Sequence, residues 1–121
     1  MANLTLSAKP YSRGFPLAWD NVLHESRSLG YVVATHQREP PLPPDGVPRT
    51  VFTYYRPLSG GDPRRERERL LAADWATLAG EVVADLSRAE PGLLNDLERV
   101  DLCRWGHGMV RPVPGLMTGE A

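Results

Sequence analysis

Between Asp62 and Pro63 the periodicity of this chain changes, and that change fixes the order of its elements. Downstream, Leu71, Trp75, Leu78, Val82 and Leu86 recur at spacings of three and four, which places them on one stripe of an α-helix. Asp62 has the chemistry of a helix N-cap, and Pro63 falls at the first helical position, where its missing N–H costs nothing. The stripe predicts one long amphipathic helix over residues 63–89, ended by Glu90-Pro91-Gly92, with those five apolar side chains buried. Its first turns are polar, and the glutamates interleaved with Arg64, Arg65, Arg67 and Arg69 mark a solvated face in place of a basic binding patch.

Upstream of the change the chain reads as strands. Leu4 and Leu6 alternate with Asn3, Thr5 and Ser7, the period of a half-buried strand. It begins two residues into the chain, where ends normally fray, so the chain is expected to begin in the middle of something larger. Residues 9–16 form a loop punctuated by Pro10, Gly14 and Pro16. Residues 19–24 and 29–37 read as two strands joined across the short polar stretch 25–28, which favours a hairpin. The second is apolar on both faces and suits an inner position. Five prolines and a glycine between Arg38 and Arg49 exclude a helix there and favour a stiff exposed connection. Residues 50–56 are strongly β-prone and are expected to return beside the preceding strand. After the helix, one further helical turn at 93–97 and a last strand around 99–105 complete the series. The fold class is therefore α+β: an antiparallel or mixed sheet of four to five strands with one long helix packed on it.

Composition narrows the function classes. A chain of 121 residues forms one domain, residues 1–121. The formal net charge is -1, which supplies no field to gather nucleic acid or anionic lipid. Cys103 is the single cysteine, so neither an internal disulfide nor a thiolate metal cluster can form. There is no signal-peptide pattern and no apolar run of spanning length, and a reducing cytoplasm is the expected location. No Gly-x-Gly-x-x-Gly follows a strand, and no Gly-x-Ser-x-Gly elbow or His-Glu-x-x-His helix is present. His24, His36 and His107 lack metal-ligand spacing, so no metal and no catalytic residue is assigned. Glycines on both sides of His107 allow close approach of a backbone or a flat ligand, or simply form a tight loop.

Three blocks carry a resemblance: residues 15–22 (Phe-Pro-Leu-Ala-Trp-Asp-Asn-Val), residues 28–37 (Ser-Leu-Gly-Tyr-Val-Val-Ala-Thr-His-Gln) and residues 104–115 (Arg-Trp-Gly-His-Gly-Met-Val-Arg-Pro-Val-Pro-Gly). Together with the Arg/Glu-rich helix between them, the chain resembles the bacterial flavin-containing amine-oxidase-like proteins, often described as NAD(P)/FAD-dependent oxidoreductases. The resemblance implies the substrate domain of a two-domain flavoprotein, without the segments that hold FAD. It implies a fragment, or a separately encoded part, that forms part of the substrate cavity and is inactive alone. Trp105, His107 and Met109 are the implied cavity-lining candidates. FAD belongs to the full-length family and none is expected on this chain by itself, since FAD's pyrophosphate needs the missing glycines and helix N-terminus. An FAD-binding chain or a second copy is the expected partner, with neither nucleic acid nor membrane. The alternative is a stand-alone, non-catalytic ligand-binding or interaction module with the same fold.

Overall fold

The computed structural model describes residues 1–8, 18–34, 49–108 and 112–119. The loop at 9–16, His36, nearly all of the proline-rich connection and Met109 lie outside the described residues.

Among the described residues five strands form one antiparallel sheet: β1 (Ala2–Leu6), β2 (Asp20–Asn21), β3 (Gly30–Val33), β4 (Thr50–Tyr55) and β5 (Leu97–Leu102), in the order β2-β3-β4-β1-β5. The α+β class holds. Helices α1 (Pro63–Ala72), α2 (Trp75–Ala89) and α3 (Leu93–Asp96) lie between β4 and β5. Because β4 and β5 both run antiparallel to β1, they are parallel to one another, and the helical stretch carries the chain across β1.

The register separates the two faces of the sheet. On β1, Ala2, Leu4 and Leu6 stand opposite Tyr54, Phe52 and Thr50, and all six are buried. Tyr31 pairs with Tyr54 and Val33 with Phe52, which continues this apolar face onto β3. Val82 and Leu86 of α2 and Leu93 of α3 close over it, with Tyr31 stacked on Phe52 at a centroid distance of 4.4 Å. Each fully buried Leu or Phe here contributes about 1.5–3 kcal/mol. The opposite face carries Asn3, Thr5, Val51, Thr53, Tyr55, Val32 and Asp20, none of which belongs to the core cluster.

The strands are shorter than their β-prone segments. Residues 19–24 contribute only Asp20–Asn21, because the chain turns at His24 and Glu25, the latter with φ of 54°. Gly30 opens β3 with φ of +98°, and a Cβ there would lie 1.9 Å from the Asn21 carbonyl oxygen. Only glycine fits that hairpin.

The single helix expected over 63–89 is two helices. Asp74 takes the extended conformation, and its carboxylate accepts from the Thr77 N–H at 2.7 Å, capping a new helix. The bend overturns half of the expected buried stripe. Leu71 is 62% exposed and Trp75 57% exposed, Leu78 is half-buried, and only Val82 and Leu86 reach the core. Trp75 instead turns its indole N–H onto the Val100 carbonyl of β5 at 3.3 Å. The Arg104 guanidinium reaches the carbonyls of Leu70, Leu71 and Ala73, the acceptors that the end of α1 leaves unpaired.

Candidate functional site

Trp105 and His107 lie on the exposed segment that leaves β5. That segment is tied to α1: Arg67 donates to the Gly106 carbonyl at 3.1 Å. His24 sits in the β2–β3 turn at the other edge of the sheet, with its side chain 95% exposed beside Glu25. Four strand spacings separate the two edges, about 19 Å, so these two histidines do not share a site. Among the described residues no three His, Cys, Asp or Glu side chains are grouped to hold a metal ion.

Among the described residues, one shallow concavity lies on the face of the sheet that the core helices leave open. A depression of about 350 Å³ is lined by Trp19, Asp20, Leu29, Val32, Ala34, Thr53 and Tyr55. Its construction follows from the register. Val32 pairs with Asp20 on one side and Thr53 on the other, and Tyr55 stands opposite Gly30. Leu29 and Tyr55 both line the depression, and the Leu29 N–H donates to the Tyr55 carbonyl at 2.8 Å. The described lining is largely aliphatic and aromatic, and Thr53 and Asp20 add a hydroxyl and a carboxylate to it. Thr53 is nearly buried and donates its hydroxyl to Asn3 at 2.9 Å. Asp20 is exposed and is the only charged residue among those described around the depression. Such a surface can seat an apolar body and orient one polar end; it contains no nucleophile paired with a base.

On the helix-covered face a second polar group fastens the β2–β3 turn to α2. Asp85 accepts from Ser26 at 2.5 Å and from the buried Tyr54 hydroxyl at 2.8 Å, and Arg88 stands 3.5 Å away. Ser26 and Ser28 share a further bond at 2.7 Å. Burial opposes ionisation of Asp85, but the hydrogen bonds from Ser26, Tyr54 and Ser28 and the charge of Arg88 outweigh it, so its carboxyl titrates below the ordinary range. Burial, then the bond and charge of Asp85 acting against Ser28 and Arg56, pushes Tyr54 up to about 12. Tyr31 is raised by burial and by its 2.5 Å bond to Glu90. An anionic Asp85 surrounded by donors and neutral phenols at ordinary pH form a structural clasp, not an acid–base pair.

Two of the three cavity-lining candidates share one segment. Trp105 and His107 are beyond β5, and Met109 is outside the described residues. The depression lies on β2–β4, across the sheet from them. Sequence reading missed it because its lining is assembled by cross-strand register; the glycine at 30 within a β-prone run is the one local sign of close backbone approach. The chain matches no family model, and no curated protein or solved structure is significantly similar to it. No helix among the described residues is long and apolar enough to cross a membrane.

Proposed function

We propose that this chain is the substrate-side part of an FAD-dependent amine-oxidase-type oxidoreductase, forming one wall of the substrate cavity and inactive without a flavin-holding partner. The class comes from the resemblance carried by residues 15–22, 28–37 and 104–115. One structural observation supports the role of a wall: the core helices pack on one face of the sheet, while the other carries the apolar depression around Leu29, Val32 and Tyr55. In flavin-dependent oxidation the cofactor carries the electrons, and the protein supplies binding, orientation and exclusion of water. An aromatic and aliphatic wall with a single carboxylate, Asp20, suits an amine with an apolar body, whose charged end the carboxylate attracts.

The test has two readouts. The purified chain is incubated with FAD and passed through a desalting column, then titrated with hydrophobic amines while the amide signals of Val32, Thr53 and Tyr55 are followed by NMR. The expected result is a colourless protein whose three signals move with amine. Stoichiometric retained flavin with amine turnover would overturn the inactive-part reading. Unmoved signals at saturating amine would overturn the wall.

A further inference from the structure

We infer that the surface where the α1–α2 bend meets the exit of β5 docks a protein segment carrying apolar side chains between carboxylates. This rests on the surface alone and is independent of the flavin reading. The described contacts bring its parts together. Arg67 and Leu71 are four residues apart on α1 and share a helical face. Arg104 reaches the carbonyls at the end of that helix and Arg67 donates to the Gly106 carbonyl, so the segment that carries Trp105 is tied to α1 on both sides of it. Trp75 begins α2 and lies along the β5 edge through its bond to Val100. Leu71, Trp75 and Trp105 are 62%, 57% and 62% exposed. Two tryptophans and a leucine, exposed together, form the composition of an interface anchor rather than of ordinary surface.

Charge identifies the occupant. Three arginines of this region have carboxylates: Arg64 pairs with Glu68, Arg69 with Glu66 and Glu81, and Arg99 with Asp101. Arg67 and Arg104 differ. Their described bonds go only to main-chain carbonyls, so neither cation has a carboxylate partner among the described residues. A complementary surface supplies those carboxylates around an apolar anchor. A second copy of this patch would set the same uncompensated cations against each other. An anionic membrane or nucleic acid asks for a broad positive field, whereas Glu66 and Glu68 interrupt this one and the chain's net charge is -1.

The experiment titrates the isotope-labelled full chain with two synthetic peptides of equal length. One alternates Glu with Leu, and the other has Lys in place of Glu. The indole N–H signals of Trp75 and Trp105 report the patch, and Trp19, across the sheet, serves as the control. The acidic peptide is expected to move Trp75 and Trp105, to leave Trp19 in place, and to bind more weakly as salt is raised. Trp105→Ala and Leu71→Ser, both at exposed positions, should each weaken binding by about tenfold. Four results would overturn the inference: equal binding of the Lys peptide, movement of Trp19 alone, preferential binding to vesicles of anionic lipid, or no movement at all. Sedimentation that shows a dimer abolished by Trp105→Ala would assign the patch to a second copy and overturn it as well.

Discussion

Removing the Asp85 carboxylate should loosen the β2–β3 turn from α2, and the size of the effect follows from what it holds. Two hydroxyl donors, Ser26 and Tyr54, converge on one oxygen, and the Asp85 side chain is only 17% exposed. A hydrogen bond to a charged group is worth about 1.5–3 kcal/mol when its loss leaves a buried partner unpaired. Tyr54 is 1% exposed, so its hydroxyl is such a partner, while Ser26 is half-buried and can turn to Ser28 or water. Asp85→Ala should therefore cost about 3 kcal/mol, about half of it through Tyr54. In a Tyr54→Phe background the orphaned hydroxyl no longer exists, and the same substitution should cost about half as much. The coupling between the two positions is then about 1.5 kcal/mol, read from urea unfolding of the four proteins at neutral pH. Acid gives an independent check of sign. The folded pKa of Asp85 is depressed, so its contribution is present above the unfolded value of about 3.9 and is lost as pH falls through the folded one. That acidic limb should shrink in Asp85→Ala. Additive single effects, within about 0.5 kcal/mol, would refute the claim that Asp85 acts by satisfying Tyr54.

Other outcomes follow from the same structure. Gly30→Ala should cost about 2–4 kcal/mol in urea unfolding, since the new Cβ must enter a positive-φ position and overlap the Asn21 carbonyl. On the alkaline side, Tyr54 has a folded pKa of about 12, above the unfolded value of about 10; stability should hold below about pH 10 and fall as pH rises toward 12. Tyr54→Phe should flatten that limb in a thermal melt series. Asp74→Ala should speed amide exchange at Thr77 and Leu78, the first turn of α2, without changing exchange in β1, because it removes the cap that starts the second helix.

Much of this fold was legible because its strands and helices obey local periods. Alternation around Leu4 and Leu6 predicted the buried face of β1, and the β-prone run 50–56 predicted β4 beside β3. The bend at Asp74 was legible in principle, since an aspartate with an amide donor three residues on is a cap, but the apolar stripe runs through it without a break. Long-range devices left no such trace. Ser26 and Asp85 are 59 positions apart, and nothing near either residue names its partner. The depression is harder still, because Trp19, Val32 and Tyr55 belong to different segments and meet only through register. Trp105 and His107 are candidates through the resemblance alone, and no local pattern around them gives their position relative to the far edge of a five-stranded sheet.

The placement of β1 between β4 and β5 also has a consequence for biosynthesis. This strand is synthesised before both of its partners, which emerge about fifty and about a hundred residues later. Until then Leu4 and Leu6 sit on an unpaired strand with two bare edges, the state most open to pairing with a neighbouring nascent chain. Closing the sheet waits on the most distant contact in the molecule, so folding should be slow for its size and should complete only after β5 has left the exit tunnel.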